Sequence, residues 1–191
     1  MTDKSLAAYL AESADVIRAA ASHVPEVKMT QAVSLCVNAL RKGKAVLVCG
    51  NGGSAADAMH VTCELVGRFL KNRKALRCIC LSDNPATLTA WANDMGFDSV
   101  FARQVEAYGE AGGVLIAIST SGNSPNVLAA ARQAKGMELS VLGLTGQGGG
   151  KLAPLCDVLL DAPSAHTPLI QQAHLCFYHY LCAAIEAQMA E

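Results

Sequence analysis

Apolar residues recur along this 191-residue chain in two rhythms, and the change falls near Lys44. Before it, Leu6, Leu10, Ala14, Ile17 and Ala21 step by three and four, which predicts an amphipathic helix over 3–22. Past Pro25, the positions Met29, Val33, Cys36 and Leu40 predict a second helix over about 28–42. Two helices form no core alone, so they must pack on the rest of the domain or on another subunit. From Lys44 onward, short apolar runs alternate with helical patterns. The reading is strand 44–49, helix 54–70, strand 76–82, helices 85–93 and 97–109, strand 113–118, helix 124–136, strands 139–145 and 157–161, and helix 167–189. Runs such as Val114-Leu115-Ile116-Ala117-Ile118 are apolar at consecutive positions rather than alternate ones. Strands of that kind are covered on both faces, as in a parallel sheet between helical layers. With no repeat, linker or low-complexity tract, one α/β domain over 1–191 is expected. Residues 1–43 form its helical extension, packed on the domain and on neighbouring subunits.

Composition sharpens this. Hydrophobic residues make up 52% and charged residues 16%, and the mean hydropathy is +0.29, yet no run is long enough to span a bilayer. Either small alanines inflate the index or apolar surface is buried between subunits. The net charge of −1, with scattered Lys and Arg, offers no basic stripe for a phosphate backbone, so no nucleic-acid partner is expected. Met1-Thr2-Asp3-Lys4-Ser5 does not open a secretory leader, so a cytosolic protein is expected. Of eight cysteines, Cys36, Cys49, Cys63, Cys176 and Cys182 lie in apolar patterns and read as small buried hydrophobes. Cys78 and Cys80 share one strand face, and no CxxC pair supports a zinc knuckle or a redox motif.

The candidate chemistry gathers in loops that leave strand ends, where ligands bind in such sheets. The first, Asn51-Gly52-Gly53-Ser54, separates a strand from a helix for which Ser54 is the expected N-cap. The second, Ser119-Thr120-Ser121-Gly122-Asn123-Ser124, carries four hydroxyls and ends where a helix begins. A third is Thr145-Gly146-Gln147-Gly148-Gly149-Gly150. A serine-rich loop can be a capped turn and nothing more. Two of them, each opening a helix, suit a phosphate monoester held by neutral donors. Nucleotide readings fail. Gly50 to Ala55 fits a dinucleotide loop but lacks the acidic residue at the end of the next strand, Asp83 lying beyond it. In a P-loop reading of Gly146 to Leu152, Leu152 stands where a hydroxyl must hold magnesium.

His60 and Glu64 lie one turn apart on the helix that starts at the glycine loop. Such spacing is often a surface pair, but apolar Met59, Val61, Cys63 and Leu65 flank it. On the terminal helix Gln171, Leu175 and His179 follow one stripe, with His174 turned away from His179. Together the two helices offer His60, Glu64, Gln171 and His179, an N/O set suited to zinc or a similar divalent ion.

These motifs resemble the SIS (sugar isomerase) domain proteins and, within them, the phosphoheptose isomerases. The resemblance rests on Cys-Gly-Asn-Gly-Gly-Ser, Asp57-x-x-His60-x-x-x-Glu64, Asn93-Asp94, Ser-Thr-Ser-Gly-Asn-Ser and Ile170-Gln171-x-x-His174. It implies a three-layer, flavodoxin-like SIS domain with a mainly five-stranded parallel sheet. It also implies an aldose–ketose isomerase that converts sedoheptulose 7-phosphate to D-glycero-D-manno-heptose 7-phosphate, the first step toward ADP-heptose and the lipopolysaccharide core. By the same resemblance Asn51, Gly52, Gly53, Ser54, Glu64, Asn93, Asp94, Ser119, Thr120, Ser121, Ser124 and Gln171 would bind substrate. His60, Glu64, Gln171 and His179 would ligate one Zn2+ per subunit, and Glu64 and His179 would move the protons. A homotetramer with active sites at subunit interfaces is implied as well. A SIS relative that binds a replication initiator and lacks the acid/base pair is the non-enzymatic alternative, and an isomerase of another phosphosugar is a second. His166, Leu169 and Gln172 depart from the family pattern, which carries Asp, Arg and Glu at these places.

Overall fold

The computed structural model describes residues 4–190. Position 3 of the predicted first helix, most of the N-terminal stretch read for a leader, and Glu191 lie outside them. Helix α1 (Leu6–His23) starts on Ser5, whose hydroxyl accepts from Ala8 N–H at 3.2 Å, and α2 (Glu26–Arg41) begins directly after Pro25. Five strands then form one parallel sheet: β1 (Val46–Gly50), β2 (Cys78–Cys80), β3 (Val114–Ser119), β4 (Ser140–Thr145) and β5 (Val158–Asp161), in the order β2-β1-β3-β4-β5. Between them run α3 (Gly53–Val66), α4 (Pro85–Met95), α5 (Val100–Tyr108) and α6 (Pro125–Gly136), and α7 (Thr167–Met189) closes the chain.

Every residue of β1 and β3 is buried, as the consecutive apolar runs require. Alternate strand residues feed two separate cores. Val46, Val48, Ile116, Ile118, Leu142 and Leu144 pack under α1, α2, α3 and α7, with Cys36, Val61, Leu65, Phe177 and Leu181. Leu47, Cys49, Leu115, Ala117 and Val141 pack under α5 and α6, with Phe101, Val105, Val127 and Ala131, and α4 joins that layer through Leu88 and Trp91. The result is the expected three-layer flavodoxin-like architecture. At roughly 1.5–3 kcal/mol per fully buried large side chain, these two cores dominate what holds the sheet between its layers.

Several expectations are corrected. The helix predicted over 54–70 ends at Val66, and the strand predicted over 76–82 keeps only Cys78–Cys80. The helix expected over 97–109 opens with a separate 3₁₀ turn, Phe97–Ser99, and another 3₁₀ turn, Gly150–Leu155, was not foreseen. Cys63 and Cys176 are exposed rather than buried, because they fall on the outward side of α3 and α7. No helix of the described residues is long and apolar enough to cross a membrane.

Candidate active site

The glycine and serine loops leave β1 and β3, which pair in register up to Gly50 and Ile118. They therefore emerge side by side at the point where the strand order reverses, the usual ligand crevice of an open α/β sheet. Ser54 is not the cap of α3. Gly52, at φ +54, holds that position without a side-chain bond, and Ser54 is buried in the first turn against Gly50. Two amides lock the loops together: Asn51 Nδ2 donates to Asn126 Oδ1 at 2.8 Å, and Asn126 Nδ2 returns the bond to Asn51 Oδ1 at 2.9 Å. Asn126 is 2% exposed and escaped the sequence reading. Its only signal was an amide in the first turn of the helix that opens from the serine loop.

Within that loop the Ser119 and Ser124 hydroxyls are 3.0 Å apart, and Ser121 Oγ accepts from Asn123 N–H at 3.1 Å. Gly122, at φ +64, passes so close to the Gly149 carbonyl that a Cβ would collide with it. The 145–150 loop thus serves as the bed of the serine loop, with Gly146 N–H donating to Thr120 O at 2.9 Å and Leu152 N–H to Gly122 O at 2.9 Å. Ser121 is left exposed and Thr120 half-buried.

A second centre lies between α3 and α7. His60 Nε2 is 3.1 Å from Glu64 Oε1 and 3.3 Å from His179 Nε2, and the ligand atoms of all three lie within 4.8 Å of one another. His60 Nδ1 is 3.1 Å from the Tyr178 hydroxyl, which donates to Asp57 Oδ1 at 3.4 Å. Asp57, His60 and Glu64 stand on one face of α3, at i, i+3 and i+7. Burial raises the Asp57 carboxyl above its usual range, although Tyr178 and His60 oppose the shift, and its Oδ2 has no hydrogen-bond partner among the described residues. Phe69 stacks near His179, with ring centroids 5.6 Å apart.

His174 is turned away, as its helix position requires. It is fully buried, faces the Thr145 carbonyl at 2.9 Å through Nε2, and burial lowers its pKa to about 4. Gln171 does not lie beside the histidines. Its amide nitrogen occupies the place that a Gly53 Cβ would take, seven residues or about 10 Å of helix before His60. Asn93 and Asp94 lie in the opposite helical layer, both exposed, with Asn93 Nδ2 donating to Asp94 Oδ1 at 3.0 Å. Of the three departures, His166 is exposed at the start of α7, Leu169 is buried, and Gln172 donates to the Tyr9 hydroxyl of α1 at 3.0 Å.

A SIS domain family model matches residues 8–146. A phosphoheptose isomerase from Bradyrhizobium is 47% identical over 190 residues, 99% of this chain and 96% of that one. The solved phosphoheptose isomerase from Neisseria gonorrhoeae superposes with a TM-score of 0.89 at 40% identity, covering 95% of this chain and 97% of that one. The corresponding structure from Francisella tularensis gives a TM-score of 0.90 at 37% identity, covering 94% and 95%. With five parallel strands in this order, a serine loop bedded on the next turn, and these relatives matched nearly end to end, the chain belongs to the SIS domain proteins and, among them, to the phosphoheptose isomerase family.

Proposed function

We propose that this protein interconverts sedoheptulose 7-phosphate and D-glycero-D-manno-heptose 7-phosphate, with Glu64 and His179 as the proton-moving pair. The observation that carries the reading is the convergence of Glu64, His60 and His179 from two helices onto one point. Aldose–ketose isomerisation shifts a proton between C1 and C2 through an enediol, which needs a base at carbon and an acid at oxygen. Glu64 takes the proton from carbon and His179 supplies one to the neighbouring oxygen.

The same three side chains fit a catalytic zinc site, which takes three N or O protein ligands and leaves a position open. When bound, zinc would polarise the carbonyl and hydroxyl oxygens, an effect of roughly several kcal/mol. His60 would bind through Nε2 while its Nδ1–H donates to Tyr178 and the Tyr178 hydroxyl to Asp57, an arrangement that fixes the ring and its tautomer. Gln171, placed at the glycine loop, is better suited to a substrate hydroxyl there than to a metal at His60.

The substrate phosphate is assigned to Asn51–Ser54 and Ser119–Ser124. Glu64 lies eleven residues beyond Gly53, about 16 Å along α3, and an extended heptose phosphate is shorter than that. Asn93 and Asp94 lie in the other helical layer. Both separations favour an assembly, proposed as a homotetramer in the cytosol, in which one chain's phosphate loops face another chain's acid/base pair.

Zinc-loaded protein is expected to turn over sedoheptulose 7-phosphate and, in deuterated water, to exchange label at C1 or C2. A chelator should remove activity while leaving the circular dichroism unchanged, because neither core uses the metal. Absence of turnover and of exchange on any phosphosugar would leave the adaptor reading instead. Ser121→Ala should act mainly on KM, since the hydroxyl binds ground and transition states alike. Loss of one neutral hydrogen bond, about 0.5–1.5 kcal/mol, corresponds to a KM rise of roughly threefold to tenfold. An unchanged KM in steady-state kinetics would make the loop a capped turn.

A further inference from the structure

α3 stops at Val66 although its pattern runs on to Leu70, and what stops it comes from the far end of the chain. Glu186 stands on α7 seven residues past His179, two turns along the same face. Its side chain is 2% exposed, and its two oxygens accept three consecutive backbone N–H groups: Phe69 at 2.8 Å, Leu70 at 2.6 Å and Lys71 at 2.8 Å. Burial alone would raise this carboxyl, but the three N–H donors and Arg73 outweigh it and hold the group below its usual range.

The Arg73 side chain is likewise 2% exposed, with Nε 3.3 Å from Glu186 Oε1. Its Nη2 donates to the Glu64 carbonyl at 2.7 Å, and its Nη1 to the carbonyls of Gly67 at 3.2 Å and Lys74 at 3.1 Å. The last four carbonyls of a helix lack intrahelical donors, and a cation there also complements the helix dipole. Arg73 therefore pins the terminal turn of α3, the turn that carries Glu64. Glu186 folds the segment just after it so that Phe69 lies beside the His179 ring.

We propose that Glu186 and Arg73 form a buried positioning pair that sets Glu64 and His179 relative to each other from behind, without touching the substrate. The proposal rests on the isomerase reading of the Glu64–His179 centre. A fold-holding role alone would lower stability and leave a folded variant fully active. A positioning role lowers kcat and metal affinity together while leaving KM nearly unchanged, because the phosphate loops lie at the other end of α3.

The test compares the full-length wild type with Glu186→Gln, Arg73→Lys and Phe69→Leu, reading kcat, KM and the affinity for zinc alone by equilibrium dialysis. Glu186→Gln keeps the shape but offers one acceptor oxygen where the chain supplies donors for two. Arg73→Lys keeps the charge but cannot reach three carbonyls. Both are expected to lose about 10–100-fold in kcat and in zinc affinity. Phe69→Leu retains every backbone donor to Glu186, removes only the ring beside His179, and should lose about tenfold in kcat. Folded Glu186→Gln and Arg73→Lys with wild-type kcat and wild-type zinc affinity would overturn the proposal. Should those two fail to fold, Phe69→Leu decides, and wild-type kcat and zinc affinity there overturn it equally. Failure of the isomerase reading would show separately, as a wild type without turnover, and the zinc measurements would still read the positioning.

Discussion

Glu64→Gln is expected to lower kcat by roughly 10²–10⁴ while the protein stays folded and keeps part of its metal affinity. The exchange preserves shape and removes only the ability to take a proton. Glu64 is suited to that task by its place: its side chain is 17% exposed, one turn from His60 and facing His179 across the gap between α3 and α7. His179→Ala should cost a similar factor, because the enediol oxygen then loses its proton donor. The pair acts as a unit, so the double variant should be only slightly slower than either single one. Steady-state kinetics combined with solvent deuterium exchange at C1 and C2 reads this directly. A carboxylate that also ligates a metal is a weaker base, so the alternative outcome is informative. If Glu64→Gln turns over at the wild-type rate with zinc bound, Glu64 is a ligand only and the base lies elsewhere. Asp94, the other carboxylate in the predicted substrate set, would be next.

How legible this was from the sequence depended on how local each cause is. Helix α7 matches its predicted span, 167–189, because Pro168 in the first turn and an unbroken helical rhythm are both local signals. The five strands and their parallel pairing could be read from consecutive apolar runs and intervening helices, though not the order β2-β1-β3-β4-β5. The end of α3 was not legible. Gly67 is only a weak stop, and the group that organises the exit is Glu186, about 120 positions away. The Ser54 cap failed for a related reason: backbone closeness to Gly50 draws the side chain inward, and Gly52 takes the turn. Asn126 was missed because its partner, Asn51, belongs to the neighbouring loop, 75 positions away in the chain. His60, Glu64 and His179 were legible as a set through helical spacing, whereas the displacement of Gln171 toward Gly53 needed the crossing of two helices.

Two inactive variants should restore one another when they co-assemble. Ser121→Glu places a carboxylate on the exposed rim of the proposed phosphate loop, where it repels the substrate and has no reason to disturb the core. Glu64→Gln disables the acid/base centre at the far end of α3. The serine loop stands beside the glycine loop at the start of α3, and Glu64 lies about 16 Å further along that helix, so a single copy supplies both parts only if the substrate spans that length. If each site takes its loop from one chain and its base from another, equal mixing leaves about a quarter of the sites with both parts intact. Unfolding the two variants together and refolding them, or co-expressing them with different tags, should therefore recover about a quarter of wild-type turnover from parents at least a hundredfold lower. Exposed Leu6, Leu10, Ile17, Leu175 and Tyr180, spread over α1 and α7, supply apolar surface through which such copies would associate. Turnover of the tagged mixed assembly no higher than that of its parents would mean that loop and base are drawn from the same chain. The substrate would then have to reach along α3, or the serine loop would have to move toward Glu64, for one copy to supply both parts.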